Sequence, residues 1–379
     1  MKALFRLVLV LALLLFPLSV QAQEVDEEGF TQQLLEESGA ESIAQSLPES
    51  AQKLLEQQNL LPGQEGMEQL TPWGVLGLLC QGLGESLGQP LQIFLSAMGV
   101  ILLYRLFSGF ADTGLTDTRP LMNTVAVLCL CGVLLVPCIQ FMEQTVEFLS
   151  QMGEFVAALT PVYAGLLAAS GQAATALSWN TVLIGMVELM SFLASTFLIP
   201  LTGVFLALTV AGAAGGQLQL TGFAKTLKKV VLWVFGLLLT VFVGVLTIRS
   251  FVSSAADGVS LRTGKYLAGS MLPLVGGAVS DALGVLQGCL GKVTTSVGAF
   301  GILALLITFL PMILQVGLMQ LSIKLSQGVA GLMEASRLEG LLEGAGFVLT
   351  MLQALLICYG MMLLSALALL LTVGGQVWT

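Results

Sequence analysis

The run LMNTVAVLCLCGVLLVPCIQF, Leu121 to Phe141, holds 21 residues and no charge. At 1.5 Å of rise per residue, about 20 residues of helix cross a hydrocarbon core of about 30 Å. Comparable apolar runs recur at Leu91–Phe110, Val230–Ile248, Gly298–Leu318 and Phe347–Val373. Lipid offers no partner to a free backbone N–H or C=O, so spans of this length are helices. The expected fold is an all-α polytopic membrane protein. Two regions leave the count open between six and eight transmembrane helices. Phe155–Ser170 is short for a span, while Thr181–Ala214 is too long for one straight helix and contains Pro200. Six result if the first lies at the surface and the second is one broken helix, and eight if both become full crossings.

Composition points the same way. Of 379 residues, 56% are hydrophobic and 10% charged, against about 25% charged in soluble domains, which excludes an ordinary soluble enzyme. Histidine is absent, removing the commonest general base, the imidazole metal ligand and the His-dependent triads. The six cysteines, Cys80, Cys129, Cys131, Cys138, Cys289 and Cys358, form no C-x-x-C pair, and four of them sit within apolar runs as small packing residues. No G-x-x-x-x-G-K-[ST] loop occurs, and the glycine-rich Gly82 to Gly88 is not a nucleotide fingerprint. No catalytic residue, metal, cofactor or nucleic-acid site is expected. Gly212-x-x-x-Gly216 and Gly284-x-x-x-Gly288 have the spacing of close helix contacts, and Gln315, Gln320 and Gln353 read as hydrogen bonders between helices. Trp73, Trp179, Trp233 and Trp378 read as interfacial anchors.

Ahead of the runs lies an export pattern. Lys2 and Arg6 precede the apolar stretch Leu7–Phe16, and Val20-Gln21-Ala22 supplies small residues for cleavage, so residues 1–22 read as a cleavable signal peptide. Residues 23–72 then form an acidic extracytoplasmic tail with eleven acids against the single base Lys53. Ile43, Leu47 and Leu54-Leu55 within it suit short amphipathic helices divided at Pro48 and Pro62. A charged, Gln-rich tail of this kind reads as a solvated spacer, with docking the minority role. The multi-span domain follows at 73–379.

Cytoplasmic loops retain Lys and Arg. With the tail outside, either count puts Arg119, Lys225, Lys228, Lys229, Lys324 and Arg337 in the cytoplasm and both termini outside. The segment holding Glu143, Glu147 and Glu154 then falls outside as a loop, as do the exceptions Arg249, Arg262, Lys265 and Lys292. Those four bases lie in residues 249–297, a Gly-, Ala- and Ser-rich stretch too long for a plain loop. It reads either as paired amphipathic helices on the outer leaflet or as a re-entrant element buried in protein. Between the last two spans, Lys324–Gly346 alternates apolar and charged residues in a helical pattern, expected to lie along the surface. Its Arg337, with Lys225, Lys228 and Lys229, is a candidate landing site for a cytosolic partner. Glu188, inside Thr181–Ile199, is the candidate functional residue within a span, because a centred charge costs about 2.5–3.5 kcal/mol and marks a bundle interior or a water path.

The stretch KYLAGSMLPLVGGAVSDA, Lys265 to Ala282, resembles the signature region of the stage III sporulation protein AE family of endospore-forming bacteria. The order of signal peptide, exported tail, spans, basic loop at Lys225 to Lys229 and small-residue segment resembles that family along nearly the whole chain. The resemblance implies a subunit rather than a catalyst: a mother-cell membrane component, around the forespore, of the channel joining the two cells. Implied partners are other stage III sporulation membrane proteins, a cytosolic ATPase similar to secretion ATPases, and membrane lipid, in an oligomeric complex. Lys265, Tyr266, Gly269, Pro273, Gly276, Gly277, Ser280 and Asp281 form its candidate assembly or pore segment. The alternative is a stand-alone permease or secondary transporter, since a broken helix near Pro200 and an intramembrane acid also suit that class.

Overall fold

The computed structural model describes residues 39–48, 51–53, 55, 88–111, 119–215, 221–271 and 276–376. The signal segment, most of the tail, Trp73, Cys80, Pro273 and Trp378 lie outside them. The described residues form α1 (Ala40–Gln45), α2 (Gly88–Ala111), α3 (Arg119–Ala169), α4 (Ala173–Phe192), a π-helical segment (Leu193–Leu198), α5 (Ile199–Gly215), α6 (Thr221–Met271), α7 (Gly276–Leu332) and α8 (Ser336–Gln376). No strand occurs among them. Six rods are long and apolar enough to cross a membrane, with α4, the π segment and α5 acting as one.

Six is therefore the count among the described residues, although the route to it differs from expectation. Phe155–Ser170 is not a surface element but the end of α3, a continuous helix of 51 residues that carries Pro137 and Pro161 inside it. The chain passes Pro200 helically, and the irregularity in that rod is the wider π turn just before it. Glu143, Glu147 and Glu154, expected in an external loop, lie midway along α3. The described residues of 249–297 are helical: α6 continues to Met271 and α7 starts at Gly276. Lys324–Gly346 is likewise no surface linker, because α7 runs to Leu332 and α8 begins at Ser336, with Leu338, Leu341 and Leu342 buried. At 51 to 57 residues, α3, α6 and α7 measure about 75–85 Å, more than twice a hydrocarbon core.

Two hairpins turn in three residues by the same device. After α3, Gly171 has φ 85°, and Gln172 N–H donates to the Leu167 carbonyl at 2.8 Å. After α7, Glu334 has φ 54°, and Ala335 N–H donates to the Ala330 carbonyl at 2.9 Å. Both are left-handed helix caps that satisfy the last carbonyls. Glycine takes that conformation freely, whereas Glu334 adopts it at a steric cost.

The centre of the bundle is α8, which packs against α3, α5, α6 and α7. Phe309 of α7 lies edge-on between Phe148 of α3, 4.9 Å between centroids, and Tyr359 of α8, at 5.6 Å. Four glycines allow this closeness. A Cβ on Gly298 would meet the Tyr163 hydroxyl and Leu371, one on Gly301 Leu367, one on Gly344 the Thr209 side chain, and one on Gly360 the Phe309 ring. Gly284 and Gly288, which have the expected spacing, face open space instead. Trp179 is buried rather than interfacial, at 4% exposure, while Trp233 is 67% exposed. The described part of the tail is no solvated spacer: Ile43, Leu47, Ala51 and Leu55, four residues apart, are all buried, and α1 packs on α3.

The short α2 runs beside the first half of α3. The Tyr104 hydroxyl donates to Asn123 Oδ1 at 2.6 Å, and Gln89 approaches Gln140 at 3.4 Å. Arg105 meets Glu334 of the α7–α8 turn at 3.8 Å, a pair at 50% and 82% exposure worth under about 1 kcal/mol. Phe148, level with the middle of the other rods, lies beyond this zone, so α2 is displaced towards the end that carries the α7–α8 turn.

Candidate functional site

An exposed polar face crosses α3 and α4 where the bundle is otherwise apolar. Glu143, Glu147, Ser150 and Glu154 return to one side of α3 every three or four residues, and all are exposed. The opposite side of the same turns, with Phe148, Met152, Phe155 and Leu159, is buried. On the next rod Glu188, Ser191 and Ser195 are exposed behind the buried Met186, Met190 and Ala194. A methyl of Val187 comes within 3.3 Å of where a Cβ on Gly153 would stand. Glu154 and Glu188, each one position further on, therefore leave the same helix pair on its outer side. Glu188 is exposed on the outer side of the pair, and no helix among the described residues covers it. Gln151 Nε2 approaches Glu147 Oε1 at 3.4 Å, and no described base pairs with any of the four acids.

The height of this face follows from contacts. Phe148 touches Phe309, midway along 298–318, and Phe309 touches Tyr359, midway along 347–373. The Cys358 thiol reaches the Phe235 carbonyl of α6 at 3.6 Å. At the same level α6 exposes Trp233, Leu237, Val241 and Val245, a surface suited to lipid. Four carboxylates turned to lipid at that depth would cost about 2.5–3.5 kcal/mol each on insertion scales. In the sequence only Glu188 stands out, because the full-length apolar run ending at Phe141 makes the other three look external. Their helical spacing across 143–154 was the available signal.

Within the bundle, polar groups pair between rods. The Gln320 amide of α7 donates to the Thr350 hydroxyl of α8, as expected of an interhelical glutamine. Tyr163 of α3 donates to the Thr294 carbonyl of α7 at 2.7 Å. Asp257 of α6, only 3% exposed, accepts the Ala174 and Thr175 N–H groups at 2.9 and 2.8 Å. It thus serves, from another helix, two of the free donors at the start of α4, where the helix dipole favours negative charge.

The small-residue segment divides between two helix ends. Lys265, Tyr266 and Gly269 belong to the last turns of α6, with Tyr266 75% exposed, and Gly276, Gly277, Ser280 and Asp281 open α7. The basic residues gather at the opposite end: Lys225, Lys228 and Lys229 in the first turns of α6 and Arg337 in the first turn of α8. Lys229 is exposed, while Lys228 and Arg337 are half-buried.

Comparison with known proteins bears on what this bundle is. No solved structure matches the chain. It is similar to the stage III sporulation protein AE of Bacillus subtilis (strain 168), 26% identical over 160 residues, which is 42% of this chain and 40% of that relative. Residues 64–374 match the family described as stage III sporulation protein AE (spore_III_AE). That match takes in all six long rods, and with them a role in sporulation. A polytopic bundle matched from before its first rod almost to the end of its last belongs to the stage III sporulation protein AE family.

Proposed function

We propose that the chain is a membrane platform or pore subunit of the channel between mother cell and forespore, a secretion-like complex required for endospore development. The observation that carries this reading is the family match across 64–374, which spans every long rod. In the proposal the chain sits in the mother-cell membrane around the forespore with both termini extracytoplasmic, among other stage III sporulation membrane proteins. It performs no catalysis of its own and binds no nucleic acid. A cytosolic secretion-type ATPase supplies the energy and meets the basic end at Lys225, Lys228, Lys229 and Arg337. The opposite end, Lys265 to Asp281, joins the other membrane components.

The deciding experiment is affinity purification from cells at the engulfment stage. Co-purification of other stage III membrane proteins is expected. Recovery of the chain alone, together with solute uptake when it is reconstituted in liposomes, would favour the stand-alone permease.

A further inference from the structure

Between α4 and α6 the bundle leaves a groove. Asp257 ties the start of α4 to α6, and beyond that tie the two rods line an elongated cavity, from Thr181 and Arg249 at one end to Leu189 and Val234 at the other. Met186 and Met362 of α8, both buried, form its floor, while Leu189, Leu237, Val241 and Val245 are exposed along its rims. Gly185 lies in the lining, and a Cβ there would meet nothing within 4 Å. Glu188 is outside the lining. The only charge in the lining is Arg249, which is exposed and follows directly on the apolar run Val230–Ile248, at the edge of the hydrocarbon layer. No described carboxylate pairs with it, and both oxygens of Asp257, two turns further along α6, are taken by α4.

The width of the groove decides what fits. Its volume is about 410 Å³, or about 920 Å³ with the open side included, over the rise from Val234 to Arg249, about 22 Å of helix. The mean cross-section is therefore about 19–42 Å². A helix with its side chains, about 10–12 Å across, needs about 80–110 Å², so no helix of this chain, of a second copy or of another protein seats in it. An extended peptide is narrow enough, but its N–H and C=O groups would face walls that offer them no partner beyond Thr181. Hydrocarbon chains, with a contact width of about 4–5 Å, need about 13–20 Å² each, and one or two of them fill the space.

We propose that this groove binds one anionic phospholipid, with its phosphate on the Arg249 guanidinium and its acyl chains laid along Gly185 and Val241 towards Val234. A guanidinium meets phosphate through two parallel N–H···O bonds, and the apolar stem of arginine lets its head stay at the interface. A cation without a carboxylate partner at the mouth favours a net negative headgroup over a zwitterion. The site is the same whether the chain serves a channel or a permease.

The test uses the full chain, purified in mild detergent and titrated with phosphatidylglycerol or phosphatidylcholine, with bound lipid counted by native mass spectrometry. One phosphatidylglycerol per chain is expected, held at least about fivefold more tightly than phosphatidylcholine. Arg249→Gln should erase that preference. Gly185→Leu, whose added Cβ meets nothing in the chain, fills the groove and should weaken both lipids about tenfold. Gly236→Leu, on the other side of α6 where a Cβ also meets nothing, should bind as the unaltered chain does. Where Gly185→Leu fails to insert, Val241→Trp narrows the groove from its other wall and is read in the same way. A preference that survives Arg249→Gln would overturn the headgroup site, and binding that survives the groove-filling change would overturn the groove. A photoreactive residue at Val241 that captures a polypeptide in the native membrane, a second copy included, would show that protein covers the groove and would overturn the lipid.

Discussion

At the scale of single residues, closeness and charge make separable demands. A methyl on Gly344 would run into the Thr209 side chain, whereas one on Gly340 meets open space. Gly344→Ala should cost about 1–3 kcal/mol through overpacking, and Gly340→Ala should be neutral or slightly stabilising. Thermal unfolding of the detergent-solubilised protein separates the two, and equal midpoints would refute the close contact. Glu188 makes the other demand, since it faces outward at the level of the apolar runs. Glu188→Leu should impair sporulation while the protein's amount in the membrane stays unchanged, and Glu188→Gln, which keeps a hydrogen-bonding group, should be milder. Normal sporulation with the leucine would make Glu188 a tolerated residue.

At the scale of elements, Asp257 ties α6 to the start of α4. Asp257→Ala strips two N–H groups of their acceptor and should cost about 1–2 kcal/mol, with Asp257→Asn intermediate. Hydrogen exchange at Ala174 and Thr175 should rise in the alanine variant, and unchanged exchange would show that the cap is dispensable. At the start of α7, Gly276→Leu and Gly277→Leu should block co-purification of partners without preventing insertion. Normal assembly by both would remove the segment from the assembly surface. The rods themselves were legible in the sequence because uninterrupted apolar runs have one solution in lipid. Their ends were not. Continuation of α3 past Phe141, of α6 past Ile248 and of α7 past Leu318 uses polar, helix-compatible stretches that resemble loops when hydropathy is the only guide. The buried faces were legible at Gln320 but not at Gly344 or Gly360, because glycine spacing along one helix does not reveal which neighbour comes near. Asp257 was hidden for a similar reason: its acceptors' donors lie 82 and 83 positions away in sequence.

At the scale of the whole molecule, the basic ends of α6 and α8 share one side, which the proposed orientation puts in the cytoplasm. Cysteines at Thr226 and Ser336 should therefore resist an impermeant reagent applied from outside, and one at Ser254 should react. External labelling at Thr226 would invert the orientation. The displacement of α2 has a larger-scale meaning. Its apolar surface, Leu91, Leu95, Leu102, Leu103 and Leu106, sits beside the first half of α3, off the level at which α6 presents Trp233 to Val245. The molecule thus offers lipid a step instead of a ring. A flat bilayer of uniform thickness wets one tread of it, and tilting or local thickening relieves that at a fraction of a kcal/mol per Å. The protein's most comfortable seat is a sheet that slopes or curves around it, so the shape of the membrane and the posture of the subunit constrain each other.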